Sequence, residues 1–140
     1  MEQISGGLNR YSRQAKSHDE RMYKEIAKRR FDFMEVAKNT GFSIEQVQLV
    51  KSYIFRHSHY LNGSTLSSKF DPSYEMAESW RRLSEKGGKH IQQHDMTLLY
   101  HELYEIGLLL NNSSMSQRTA HTLAEQKYNY ELGCRSFYGN

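Results

Sequence analysis

Apolar residues recur at helical spacing along this chain, in five stretches that glycine, asparagine and an Asp-Pro pair cut apart, and this constrains the fold more than any other feature. No stretch shows the sustained alternation of a half-buried strand. Met22, Ile26, Phe33, Val36 and Ala37 form the first stripe, which Ser17 or Asp19 can cap and Gly41 can end. Ser43 and Gln46 stand in capping-box order at the head of the second, Ile44, Val47, Val50 and Ile54. Asp71 and Pro72 open a third helix, because aspartate caps well and proline loses no hydrogen bond at the first helical position; Met76, Ala77, Trp80 and Leu83 are its inner face, and Gly87 and Gly88 stop it. A fourth helix is expected from His94 or Asp95 to Leu110, broken by Asn111 to Ser114. A fifth starts near Ser116 and turns Ala120, Leu123, Ala124 and Tyr128 inward. The expected fold is all-α: a single compact domain of about five helices over residues 17–140, behind a loose lead-in over 1–16. The polar loop from His57 to Phe70 has room for a short strand pair.

A chain of 140 residues is long enough to bury one core without disulfides or structural metal. Cys134 is the only cysteine, so no internal disulfide can form. No apolar run approaches the roughly 20 residues that span a bilayer, so membrane insertion by this domain is not expected. Met1 to Lys16 lacks the apolar centre of a signal peptide, so an exported version would carry its signal elsewhere in a longer protein. Nineteen Lys and Arg against sixteen Asp and Glu leave a formal charge of +3, which permits contact with phosphates without requiring it.

The chemistry concentrates on the fourth helix. At about 100° per residue, His94, Asp95, His101, Glu102 and Glu105 fall within an arc of roughly 120°. Leu99, Leu103 and Ile106 fill the neighbouring arc, which places the ionisable stripe at the edge of the buried face, where acid and base groups are tuned. His101 and Glu102 read as the first half of the zinc-protease motif HExxH, with Glu105 standing where the second histidine would be. A charged stripe beside a core is also ordinary on helices that do no chemistry. His121 shares a face with Glu125 and Tyr128, an arrangement in which a carboxylate orients an imidazole, or simply a surface pair. Trp80, with Phe70, Asp71 and Tyr74 before it, can serve as an aromatic wall for a base or sugar or as plain core. Lys127 and Tyr128 offer donors for a phosphate at the end of the last helix. So does the run Lys28, Arg29 and Arg30, unless it is merely solvated. Phe31 to Phe55 has the outline of a helix-turn-helix, with Gln46, Gln48 and Lys51 outward, thin material for reading bases.

The strings VAKNTGFSIEQVQLVKSYIF, His59 followed by Leu61, FDPSYEMAESWRRL, HDMTLLYHELYE and MSQRTAHTLAEQKYNY appear in this order between Val36 and Tyr130. This stretch, about two thirds of the chain, resembles a toxin domain at the C-terminal ends of bacterial polymorphic toxins, including LXG-type exported proteins, and of some phage head-associated proteins. The family pattern has a histidine where this chain has Tyr53. The resemblance implies a module secreted as part of a larger protein, acting in the target-cell cytoplasm as a nuclease, on RNA in preference to DNA, and paired with a cognate immunity protein. It puts His59, Asp71, Asp95, His101, Glu102, Glu105 and His121 forward as site residues. Without metal, His101 would take the 2′-hydroxyl proton while His59 or His121 protonates the leaving oxygen. With a divalent ion, Zn or Mg, the metal would sit on His101, Glu105 and Asp95, with Glu102 as general base. The alternatives are a zincin-like metallopeptidase toxin and a non-enzymatic helical interaction module of a phage or secretion system.

Overall fold

A computed structural model of the chain describes residues 13–55, 59–61, 64–66 and 74–139. The fold is all-α. Among the described residues there are seven α-helices: α1 (Arg13–Lys28), α2 (Asp32–Thr40), α3 (Ile44–Phe55), α4 (Tyr74–Ser84), α5 (Gln93–Asn111), α6 (Gln117–Lys127) and α7 (Tyr130–Tyr138). The loop after α3 holds two three-residue antiparallel strands, β1 (His59–Leu61) and β2 (Ser64–Leu66), with Tyr60 opposite Thr65. Asp71 and Pro72, the expected start of the third helix, lie outside the described residues.

The first expected helix is two helices, and α7 lies beyond the expected end of the fifth. The first breaks between Lys28 and Asp32 because the break serves a buried cation. Lys51, on α3 and 3% exposed, donates to the Arg29 carbonyl and to the Asp32 carboxylate at 2.6 Å, and Asp32 also accepts from the Trp80 indole at 2.8 Å. A continuous helix would keep the Arg29 carbonyl in its own ladder. The same contacts turn Lys51 inward, where the helix-turn-helix reading had it outward with Gln46 and Gln48, which are exposed. At the other end α6 stops at Lys127, and Asn129 starts α7 by accepting the Leu132 N–H at 2.9 Å.

Other boundaries follow the sequence. Gly41 ends α2 in the left-handed region, at φ 84°, donating to the Ala37 carbonyl. Ser43 and Gln46 form the reciprocal cap of α3, and the Ser116 hydroxyl accepts the Thr119 N–H at the head of α6. On α5 the cap is Gln92, two to three residues before the expected start, with Asp95 accepting the Gln92 N–H at 2.8 Å.

The main core gathers around Trp80, fully buried and edge-on to Phe55, with Ile26, Val36, Val50, Leu83, Leu98 and Leu99. Leu123, expected inside, is exposed. Helix α5 is the centre of the molecule: α3, α4, α6 and α7 all pack on it. That position explains why the whole ionisable stripe of α5 is buried, deeper than the edge placement expected from the sequence.

Candidate functional site

Burial divides the α5 stripe into two groups with different surroundings. The N-terminal group is closed. Asp95, fully buried, takes the Arg82 Nε at 2.8 Å and Nη2 at 2.9 Å, the Ser79 hydroxyl at 2.6 Å and the Gln92 N–H. Arg82 Nη2 also approaches His94 Nε2 at 3.1 Å; because a guanidinium only donates, that nitrogen accepts and His94 is neutral. Burial pushes the His94 imidazole below its ordinary range. These contacts remove Asp95 from the expected metal set, because its carboxylate is already saturated by protein donors.

The C-terminal group is open at one side. His101 and Glu105, one turn apart on α5, meet His121 from α6. His101 Nε2 lies 3.3 Å from Glu105 Oε1 and 3.3 Å from His121 Nδ1, and His121 Nδ1 lies 3.2 Å from Glu105 Oε1. These atoms are the histidine and carboxylate set that could hold a metal ion among the described residues. Tyr53, from α3, donates its hydroxyl to the second oxygen of Glu105 at 2.6 Å. His101 Nδ1 faces the Tyr128 carbonyl at 3.0 Å and Glu125 at 3.2 Å. Glu125 therefore orients His101, where the sequence had suggested that it serves His121. The His121 side chain is 53% exposed, beside an open depression of about 270 Å³ that Thr122, Glu125, Gln126 and Asn129 also line. A larger depression, about 460 Å³, lies along α5 and α7 beside His94 and away from this group.

The electrostatics divide the acids. Burial alone would raise the Glu105 carboxyl, but hydrogen bonds from His101, His121 and Tyr53 outweigh it and hold the group below its ordinary range. Its hydrogen bond in turn raises His121. Glu102, 1% exposed, is pushed well above the carboxylate range by burial and then by Glu105 and Glu125, which favours its protonated form. One of its oxygens is 3.8 Å from His101 Nε2; the other is buried without a hydrogen-bond partner. No family model, no curated protein and no solved structure matches this chain.

Of the residues singled out from the sequence, His101, Glu102, Glu105 and His121 come together. Trp80 does not join them: it is fully buried, so it packs the core and cannot stack on a substrate. Tyr128 contributes its carbonyl to His101, while its ring stacks on Tyr100 at 5.4 Å. Lys127 is exposed with its ammonium over the rings of Tyr104 and Tyr128, at 5.4 and 5.9 Å. Arg29 pairs with Glu25 beside the helix break. The side chain of His59, the first residue of β1, lies outside the described residues, as do His57, Phe70 and Asp71. Tyr53 was missed as a site residue. The sequence marked this position only as a departure from the pattern of the toxin domains that the stretch resembles.

Proposed function

We propose that the chain is a toxin domain that hydrolyses nucleic acid, RNA in preference to DNA, at the centre formed by His101, His121, Glu105 and Glu102. The observation that carries this reading is the convergence of two imidazoles and two carboxyl groups from α5 and α6 beside an opening to solvent. Such a set supplies what phosphodiester hydrolysis needs. His121, exposed and biased toward its protonated form by Glu105, can give a proton to a leaving oxygen, while Glu102 is a shielded proton carrier beside His101. Support for nucleic acid as the substrate comes from the resemblance of Val36 to Tyr130 to polymorphic toxin domains and from the basic net charge. On this reading the domain is delivered as the end of a larger secreted protein, acts in the cytoplasm of the target cell, and is neutralised at home by a cognate immunity protein.

A second reading is favoured by one observation. Glu102 follows His101 directly and keeps a carboxyl oxygen 3.8 Å from its Nε2, a relation similar to that of general base and first ligand in a zincin. A metallopeptidase toxin would use the same residues. Induced expression in a bacterium separates the two. The wild-type chain is expected to arrest growth and degrade total RNA, with His121→Ala and Glu102→Gln restoring both. Arrest with intact RNA and DNA would favour the peptidase; soluble protein without arrest would leave a helical interaction module.

A further inference from the structure

We propose that His101 Nε2, His121 Nδ1 and Glu105 Oε1 bind a zinc ion as a three-ligand site, leaving a fourth position for water or substrate. This gives the hydrolytic centre its cofactor, with His121 then holding the ion instead of donating a proton, and its catalytic meaning rests on that reading.

The spacing of the three atoms is the first argument. Their separations of 3.3, 3.3 and 3.2 Å make a nearly equilateral triangle. Zinc holds imidazole nitrogen and carboxylate oxygen at roughly 2.0–2.1 Å in a tetrahedron, which sets neighbouring ligand atoms about 3.3 Å apart. The triangle therefore has the size of one face of that tetrahedron. Two nitrogens and one oxygen suit zinc, whereas magnesium and calcium prefer oxygen throughout.

Protons cannot satisfy the same triangle. The Tyr128 carbonyl only accepts, so the neighbouring Nδ1 of His101 carries its proton, and Nε2 of the neutral ring is a bare lone pair. In that form the lone pair faces Glu105 Oε1, itself only an acceptor; a further proton on Nε2 lets it donate to Glu105 but leaves His121 Nδ1 and Glu105 Oε1 facing each other as acceptors. A proton on His121 Nδ1 can relieve one contact of Nε2 or of the carboxylate but leaves Nε2 and the carboxylate facing each other. Protonating both rings instead turns two N–H groups toward one another at 3.3 Å. A cation among the three atoms relieves every edge.

The surrounding groups complete the argument. The contacts to His101 Nδ1 fix the tautomer that presents Nε2 to a metal, as outer-shell partners of metal-bound histidines commonly do. Tyr53 occupies Glu105 Oε2 and leaves Oε1 as a single ligand oxygen. Independently, Glu102 stands beside the triangle with Oε2 3.8 Å from His101 Nε2 and its buried Oε1 without a partner, a carboxyl left free to meet a water on the ion. Two carboxylates, Glu105 and Glu125, meet here, where an anionic substrate would otherwise be repelled.

The test is zinc titration of the chelator-stripped full chain against a chromophoric competitor, with X-ray absorption at the zinc edge. Wild type is expected to take one zinc with two imidazoles in its shell. His121→Ala, altered at a half-exposed side chain and checked for helicity, is expected to lose stoichiometric binding; Tyr53→Phe is expected to weaken it about 10–100-fold. Folded wild type that takes no stoichiometric zinc, or a folded His121→Ala that binds as wild type does, would overturn the site. RNA cleavage is scored separately. Cleavage by the stripped chain overturns zinc as cofactor and keeps the nuclease, while stoichiometric zinc with intact RNA keeps the site and removes the nuclease.

Discussion

At His94 the chain keeps a titratable group in a place that tolerates only its neutral form. Burial lowers its pKa beneath the ordinary 6.5, and the Arg82 guanidinium 3.1 Å away adds to the cost of a second positive charge. The sign follows from linkage. In the window below 6.5 the unfolded chain binds a proton that the folded chain refuses, so this contribution to stability is present above the unfolded pKa and falls with decreasing pH. His121 acts the other way: its raised pKa gives a contribution that is full below 6.5 and fades as pH rises. Comparing wild type with His94→Gln isolates the first effect. Urea midpoints between roughly pH 7.5 and 5.5 should drop more steeply for wild type than for the variant; parallel curves would contradict a neutral buried His94. The residue scale also shows why one helical stripe supplied two kinds of group. His94 and Asp95 meet Arg82, a partner that saturates them, whereas His101 and Glu105 meet His121, which leaves one side open to solvent.

Among the elements, α7 depends on a single missing methyl group. A Cβ placed on Gly133 would stand 2.6 Å from the His94 Cβ, closer than non-bonded carbons tolerate, so glycine here sets how near α7 approaches α5. Gly133→Ala should therefore destabilise the fold by about 1–3 kcal/mol through overpacking, read as a lower denaturation midpoint. A change below about 0.5 kcal/mol would mean that the helices separate freely there. The boundaries at this scale divide along a physical line. Gly41, Ser43 with Gln46, and Ser116 act through bonds to residues three or four positions away, so they were legible from the sequence. The break at 29–31 was not, because it is made by Lys51 from another helix. Asn129 is a local cap too, but the donors beside it, Lys127 and Tyr128, read as the end of the last helix.

For the whole molecule, zinc held between α5 and α6 would join two helices that otherwise share only packing and hydrogen bonds. Free zinc at about one hundred times its dissociation constant should stabilise the folded chain by about 2.7 kcal/mol, a rise of several degrees in Tm. A chelator should reverse it, and His121→Ala should show none; an equal rise in that variant would place the metal elsewhere. The all-α class and the positions of most helices were determined by the sequence alone, as was the shared face of His101, Glu102 and Glu105; His121 was joined to them there only through the resemblance. Helical periodicity and local caps are short-range properties written into adjacent residues. Tertiary structure decided the rest. It wrapped α5 on several sides, so that a stripe expected at a cleft edge became buried, and it turned Trp80 into core and Lys51 into the partner of Asp32. It also brought Tyr53 and Glu125 to the centre from α3 and α6. Which donors saturate a buried carboxylate and which leave it a free oxygen depends on groups far apart in sequence, and only packing sets their distances.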